Sequence, residues 1–202
     1  MRRETLCSLL SLSKEGHMAK QKNPGKVFED EIKASCIQEG LFIYRVKDTS
    51  QSYTYSAIFT PKNPCDFFIF KMPILLAVEC KHTKNGSMSI QRSEDEDRDK
   101  MIKYHQITAL TEFATHEGVE AGLLLSFLNE STQVETTFYL PIENFNRFLA
   151  STEKKSINMS DVMRHNPIIV NQTKKRKYYT FAISELFDNI QKRRAKHAED
   201  DI

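Results

Sequence analysis

The sequence predicts one α/β domain in which a mixed central sheet is flanked by helices. Residues 67–70 and 74–78 are apolar runs of strand length, separated by a turn that contains Pro73. Residues 121–127 form a continuous apolar run, typical of a strand that is buried on both faces. Helical periodicity precedes the first pair of strands and separates it from the third run. The predicted order is therefore α-β-β-β-α-β, with additions at the C-terminal end.

The first two elements come before the hairpin. A helix is predicted after Asn23, because apolar residues recur at three- and four-residue steps from Phe28 onward, and Gly40 is a candidate C-cap. Residues 41–46 then form a strand. Residues 47–60 are polar with interleaved aromatic residues, which suits either a nucleic-acid surface or an ordinary hairpin whose tyrosines pack.

Later elements are predicted from the same periodicities. The acidic stretch 94–99 favours a helix start, since acids complement the helix dipole. The predicted elements are a helix over 98–116, strands over 121–127 and 136–140, a helix over 142–149, a hairpin that pairs 168–170 with 178–181 around the basic turn 174–177, and a helix from Ser184.

Composition limits the class of protein. At 202 residues and 40% hydrophobic, the chain can bury one core, so residues 23–202 are expected to form a single domain. No apolar run approaches the roughly 20 residues that cross a bilayer, and we expect a cytoplasmic protein. A net charge of +2 excludes a strongly basic nucleic-acid coat. The cysteines lack the close spacing of zinc sites and are expected to be reduced thiols; they are Cys7, Cys36, Cys65 and Cys80.

The N-terminal segment, residues 1–22, is polar and lacks a sustained period, so disorder is expected. The codons for Lys14, Glu15 and Gly16 must form a purine-rich string resembling a bacterial ribosome-binding site just upstream of Met18. We therefore hypothesise that translation starts at Met18.

The hairpin over 63–81 carries the candidate chemistry. Side chains alternate along a strand, so Glu79 and Lys81 project from one face and Cys80 from the other. Pairing across the turn brings Asp66 to the Glu79 end, which places two carboxylates at one sheet edge. Such oxygen ligands suit Mg²⁺ or Mn²⁺, and Lys81 would polarise a nearby water. The alternative is a satisfied ion pair within an α/β core.

These residues resemble the PD-(D/E)xK nucleases and, within them, the RecU-type Holliday junction resolvases of Gram-positive bacteria and their phages. Asp66 stands in the first motif and Glu79-Cys80-Lys81 is the second. Further matches extend the likeness over residues 23–149; they are Gly25 to Glu29, Thr83 to Asn85, His105-Gln106 and Ala121 to Leu124. The resemblance implies a restriction-endonuclease-like core.

The resemblance also implies a Mg²⁺-dependent homodimer, with Mn²⁺ as a substitute ion, that cuts branched double-stranded DNA by paired symmetric nicks during recombination and repair. By analogy, Asp66, Glu79 and the Cys80 carbonyl ligate the metal, Lys81 orients the attacking water, and Glu29 lies at the edge of the site. Strand-exchange or branch-migration proteins are candidate partners, and the host cytoplasm is the expected location for a phage protein.

Supporting roles remain open between two interpretations. Glu29 is either an exposed helix charge or an acid that reaches the cluster from a helix packed on the hairpin. Gln106 either supports the site or a phosphate, or is a helix-surface amide. Four cations are assigned to DNA binding; they are Arg45, Lys47, Lys62 and Lys84.

Two departures from the family pattern bear on DNA selectivity. Cys65 stands where the family has a hydroxyl residue, and the segment that maps to the family's protruding stalk, residues 47–60, is short.

A nuclease of the same fold with another DNA target, either restriction-like or a recombination exonuclease, is the first alternative function. A non-catalytic DNA-binding module of this fold is the second, and the intact Asp66, Glu79 and Lys81 argue against it.

Overall fold

A computed structural model describes residues 23–46, 62–129 and 131–200, with side chains up to residue 196. The expectations for residues 1–22, for the start at Met18, for the segment 47–60 and for Lys47 lie outside the described residues. None of the described helices combines the length and the apolar character that a membrane span requires. The three cysteines in this part are buried free thiols, as predicted for them; they are Cys36, Cys65 and Cys80.

Five helices and ten strands occur in the described part of the chain. In chain order they are α1 (Pro24–Gln38), β1 (Phe42–Arg45), β2 (Phe67–Lys71), β3 (Ile74–Thr83), β4 (Ser87–Ser89), α2 (Tyr104–Phe113), β5 (Val119–Asn129), β6 (Val134–Pro141), α3 (Ile142–Ser151), β7 (Ser156–Asn158), α4 (Met159–Arg164), β8 (Ile168–Val170), β9 (Gln172–Lys174), β10 (Tyr179–Phe181) and α5 (Ile183–Asp200).

The central sheet has six strands in the order β1-β2-β3-β5-β6-β8. The β3–β5 pair is parallel and the other neighbours are antiparallel, so the sheet is mixed. One apolar cluster joins α1 and α5 to one face, and a second joins α2 and α3 to the other. The predicted α/β fold with a mixed central sheet between helices is confirmed.

The first helix begins and ends where its sequence predicts. Asn23 Oδ1 accepts a hydrogen bond from Gly25 N at 3.1 Å, and Pro24 occupies the first turn, where its missing N–H costs nothing. Gly40 has φ +70°, the left-handed conformation that commonly ends helices. The buried face, with Phe28 and Ile32, packs on the sheet.

The predicted hairpin is present with the expected register. Strands β2 and β3 are antiparallel, with Phe67 opposite Val78, and the turn between them is Met72-Pro73. Val78 and Cys80 belong to the cluster beneath α1 and α5, whereas Ala77 belongs to the cluster beneath α2. Alternation along β3 therefore turns Glu79 toward α2, away from Cys80.

The predicted helix over 98–116 is too long at both ends, since α2 spans Tyr104–Phe113. Ile102 is fully buried and forms a β-bridge with Ile90, which requires extended backbone. The amide of Gln91 donates to the Glu94 and Glu96 carbonyls, so the acidic stretch wraps around this side chain. Tertiary contacts here override the local preference of acids for a helix start.

The predicted pairing in the last hairpin is wrong in its first strand. Residues 168–170 are β8, which pairs with β6 at the edge of the central sheet. The hairpin around the basic turn consists instead of β9 and β10, with Tyr179 opposite Lys174. Without β8, strand β6 would be an unpaired edge of the sheet. Pairing with β8 covers this edge and buries the side chains of Ile168 and Val170. Strands β4, β7 and β9 and helix α4 were not predicted.

Candidate active site

The candidate site lies at the edge of β3 beyond the start of β2. Pairing between the two strands stops at Phe67 and Val78, and Asp66 N donates to Val78 O at 3.1 Å. The next backbone donor on this edge, Cys80 N, donates to Asp66 Oδ2 at 2.8 Å. The N–H and C=O of one strand residue point to the same side, so the Cys80 carbonyl also faces this edge.

Glu79 is buried on the adjacent face of β3, with a side chain that is 3% exposed. Its Oε1 accepts hydrogen bonds from Lys81 Nζ at 2.5 Å and from Gln106 Nε2 at 2.5 Å. Among the described residues, Glu79 Oε2 and Asp66 Oδ1 accept no hydrogen bond. Each acid therefore keeps one oxygen for a ligand.

Burial sets the protonation of both acids. It raises the pKa of the Glu79 carboxyl to about 7, although Lys81 acts in the opposite direction and Asp66 adds to the rise. Burial likewise raises the pKa of Asp66 above its usual range, opposed by the hydrogen bond from Cys80 N and by Lys81. The pKa values of two neighbouring carboxyls are thus both raised. A cation bound between them would stabilise their ionised forms.

Gln106 links helix α2 to the carboxylate of Glu79. Its Oε1 accepts from Lys103 N at 3.0 Å at the start of α2, while its Nε2 donates to Glu79. The side chain is thus held at both ends and is 9% exposed. Gln106 is therefore a largely buried side chain that contacts Glu79, not an exposed amide on the helix surface.

Glu29 lies at the margin of the site but turns toward cations. Its Oε2 contacts Arg45 Nη2 at 2.7 Å and Lys26 Nζ at 3.3 Å. Its charge contributes to the raised pKa of Asp66, so the helix does bring it close to the two acids. The pairing of Glu29 with Arg45 was not predicted, because the two residues lie on separate elements.

His105 is a residue near the site for which the sequence patterns predicted no role. It is half-buried, and its ring is hydrogen-bonded to the backbone of Asn63, which precedes the loop that carries Asp66. Burial, with nearby lysines, lowers the pKa of His105. Its position beside Gln106 in the helix was the available signal.

The assigned DNA-binding residues are spread around the site. Lys62 is exposed and pairs with Glu94 at 3.4 Å, and Lys84 is exposed just beyond the end of β3. Arg45 forms an ion pair with Glu29.

The donor set decides whether these residues fit a metal. Within the described ranges, no group of three or more His, Cys, Asp or Glu side chains is arranged to hold an ion, so Glu29 does not complete a cage with the two acids. The oxygens of Asp66 and Glu79 that lack partners, with the Cys80 carbonyl, form a small set of hard donors. Magnesium is commonly bound by one or two carboxylates with water and phosphate, and this set fits it.

Three comparisons relate the chain to known proteins. The SPbeta prophage-derived uncharacterized protein YotM of Bacillus subtilis (strain 168) is 28% identical over 186 residues, covering 85% of this chain and 88% of the relative. The structure of Archaeoglobus fulgidus Hjc, a Holliday junction resolvase from an archaeal hyperthermophile, aligns with a TM-score of 0.46 and 20% identity over 72% of this chain and 95% of that one.

The third comparison is with models of protein families. The model of Recombination protein U matches residues 32–185, most of the chain. The matched range contains Asp66, Glu79, Lys81 and Gln106, and it begins after Glu29. The chain belongs to the RecU (Recombination protein U) family.

Proposed function

We propose that this protein is a metal-dependent, structure-selective endodeoxyribonuclease that resolves four-way DNA junctions by paired symmetric nicks. The observation that carries the proposal is the match to the RecU family over a range that contains Asp66, Glu79 and Lys81 at one edge of the sheet. Family membership supports nuclease activity of the Holliday junction resolvase type. The carboxylate oxygens that accept no hydrogen bond, Asp66 Oδ1 and Glu79 Oε2, support binding of a metal cation by the protein.

The acids would hold the ion, and Mg²⁺, with Mn²⁺ as a substitute, is the cation we propose. Asp66 and Glu79 would contribute their free oxygens and Cys80 its carbonyl. When bound, the ion would neutralise charge on the scissile phosphate and lower the pKa of a water.

Lys81 has two roles in the proposed reaction. Its ammonium group, 2.5 Å from Glu79 Oε1, is held at the site by that carboxylate. From there it would orient the attacking water and place positive charge beside the pentacoordinate phosphorus, where negative charge develops. Gln106 would keep Glu79 in position, while Glu29 would hold Arg45 near the DNA.

A dimer is the proposed working form. A second copy would place two sites about a two-fold axis, which matches the symmetry of a four-way junction and accounts for paired nicks. We propose recombination in the cytoplasm, or in the host cytoplasm for a phage protein, as the setting, with strand-exchange or branch-migration proteins as partners.

Cleavage assays on matched substrates test the proposal. Labelled four-way junction, linear duplex and nicked duplex are incubated with protein and Mg²⁺, with Asp66→Asn as control. We expect symmetric nicks confined to the junction for the wild type and none for Asp66→Asn. Equal cleavage of all three substrates by the wild type would instead support a nuclease with another target. Equal junction binding without cleavage by both proteins would support a non-catalytic module.

A further inference from the structure

A basic groove lies where the end of β3 meets α1 and the turn between β9 and β10. The groove collects cations from two distant parts of the chain. They are Lys84, Lys174, Lys175, Arg176 and Lys177. Two tyrosines, Tyr178 and Tyr179, complete the side formed by the turn.

Among the described residues, the cations of the basic groove outnumber the acids that line it, which are Glu31 and Glu135. All five cations are exposed, and none makes an ion pair within the part of the chain that the structure describes. Its two acids have other partners: Glu31 accepts a hydrogen bond from the backbone of Tyr179, and Glu135 contacts Ser126 Oγ and His82 Nε2. Clustered like charges repel, so an anionic partner would stabilise this arrangement.

The basic turn is held in place and is not a loose charge run. Lys175 N donates to Tyr178 O at 2.7 Å, which closes the turn. Behind it, Phe181 N donates to Ser35 Oγ at 3.0 Å, and the Phe181 ring packs edge-on against Phe28 with centroids 5.6 Å apart. The backbone of the turn is therefore anchored to α1, which keeps its cations together on one surface.

Aromatic rings stand among the cations. Tyr178 is 54% exposed, and Lys174 Nζ lies 5.8 Å from the centroid of the Tyr179 ring. Cations contact phosphates and exposed rings stack on bases or sugars, so this combination favours a nucleic acid over an acidic protein.

The basic groove begins close to the candidate active site. Lys84 follows Lys81 by three residues, which is about 10 Å along an extended chain, or roughly three base-pair steps of duplex DNA. Between them, His82 lies against Phe28 of α1 with ring centroids 6.3 Å apart. Alternation puts Lys84 on the α1 face of β3, opposite Glu79 and Lys81, so a duplex cut at the acids would reach the groove by running over the start of α1.

We propose that the basic groove binds the phosphate backbone of the duplex arm next to the scissile phosphate. This inference rests on the proposed function for its substrate and adds a DNA contact supplied by the C-terminal hairpin.

Charge-removal variants test the groove. One variant replaces the turn cations (Lys174→Gln, Lys175→Gln, Arg176→Gln, Lys177→Gln). A matched control removes the same charge from exposed positions outside the groove (Lys33→Gln, Arg164→Gln, Lys192→Gln, Lys196→Gln). Binding of a labelled four-way junction and a linear duplex is measured in EDTA over a range of salt concentrations, and thermal melting confirms that both variants fold.

We expect the turn variant to bind at least about tenfold more weakly, and the slope of log affinity against log salt to become shallower by about 3. The control should stay within about threefold of the wild type, since distant charges are screened. If the two variants bind DNA equally well, the inference is overturned. Binding of polyglutamate, a mimic of an acidic protein, is measured in parallel. The inference is also overturned if the turn variant loses affinity for polyglutamate but not for DNA, which would indicate an acidic protein partner.

Failure of the groove differs from failure of the proposed function. A wild type that cleaves junctions, together with a turn variant that binds them as well as the control, removes only the groove. A wild type that cleaves no DNA in Mg²⁺, but binds it through the turn, removes the proposed function and retains the groove as a surface that binds duplex DNA.

Discussion

Two glutamates on neighbouring parallel strands, Glu79 buried and Glu120 partly buried, show how a structural acid differs from a candidate catalytic one. Glu120, at the start of β5, uses both oxygens: Oε1 accepts from Tyr139 at 3.2 Å and Oε2 from Arg194 Nε at 3.2 Å. Glu79, in β3, receives both of its donors on Oε1. Burial raises the pKa of each, so burial alone does not separate them.

The two glutamates differ in two respects: only Glu79 has a carboxylate oxygen that accepts no hydrogen bond, and Glu79 has a second acid, Asp66, beside it. Glu120 is 18% exposed and its carboxylate is already satisfied by a tyrosine and an arginine, which leaves a ligand little to gain. Glu79 keeps an oxygen and lies close enough to Asp66 for the Asp66 charge to raise its pKa. A pair of partly satisfied acids at an open sheet edge is therefore the better indicator of function.

Replacing each glutamate by its amide should separate the two roles most strongly. Glu79→Gln removes a charge from the proposed metal site, and we expect junction cleavage to fall about a hundred- to a thousandfold. Glu120→Gln should leave cleavage within about twofold and lower the free energy of unfolding by about 1 kcal/mol, because it weakens a hydrogen-bonded network. Single-turnover cleavage and urea unfolding measure both. Equal losses of cleavage would contradict the comparison.

The stability of the metal-free protein should depend on pH through Glu79. The folded pKa, about 7, lies above the ordinary value of 4.5, so the folded state binds the proton more tightly than the unfolded state. This contribution to the free energy of unfolding is full below about pH 4.5 and is lost as pH rises through about 7, at most about 3 kcal/mol in all. Urea unfolding in EDTA between about pH 5 and pH 8 measures it.

Burial also raises the pKa values of Asp66 and Glu120, so the informative quantity is the free energy of unfolding of the wild type minus that of Glu79→Gln. Glu79→Gln should show the shallower decline, and added Mg²⁺ should stabilise the wild type more at the higher pH. Identical pH profiles for the two proteins would show that Glu79 is not the responsible group.

The smallest expected effect concerns Gln106, which positions Glu79. Gln106→Leu removes one donor to the carboxylate, and we expect about a tenfold loss of cleavage. The Mg²⁺ concentration for half-maximal cleavage and the Mg²⁺-induced rise in melting temperature should both change. Gln38→Leu, an exposed position in α1, is the matched control. Reduced cleavage with an unchanged metal response would place Gln106 outside the site.

Local patterns predicted most of the fold because they follow from side-chain spacing. Alternation along β3 assigned Glu79 and Cys80 to opposite faces, and the proline turn set the register that brings Asp66 to Glu79. The end of α1 followed from Gly40, whose φ of +70° suits glycine. These features depend on residues close together in the chain, or on a single hairpin.

Longer-range contacts explain the errors. The start of α2 was misplaced because the bridge between Ile90 and Ile102 competes with local helix preference. The partner of β8 was misassigned because a short apolar strand pairs with whichever sheet edge is exposed, and β6 supplies that edge.

The sequence by itself determined the mixed α/β fold and the pairing of Asp66 with Glu79 and Lys81, since periodicity and one hairpin register are local properties. Tertiary structure decided which oxygens of these acids remain free, that Arg45 pairs with Glu29, and that the turn at 174–177 joins Lys84 in one basic groove. The physical reason is that burial, charge pairing and shared surfaces arise only when elements distant in the chain pack together.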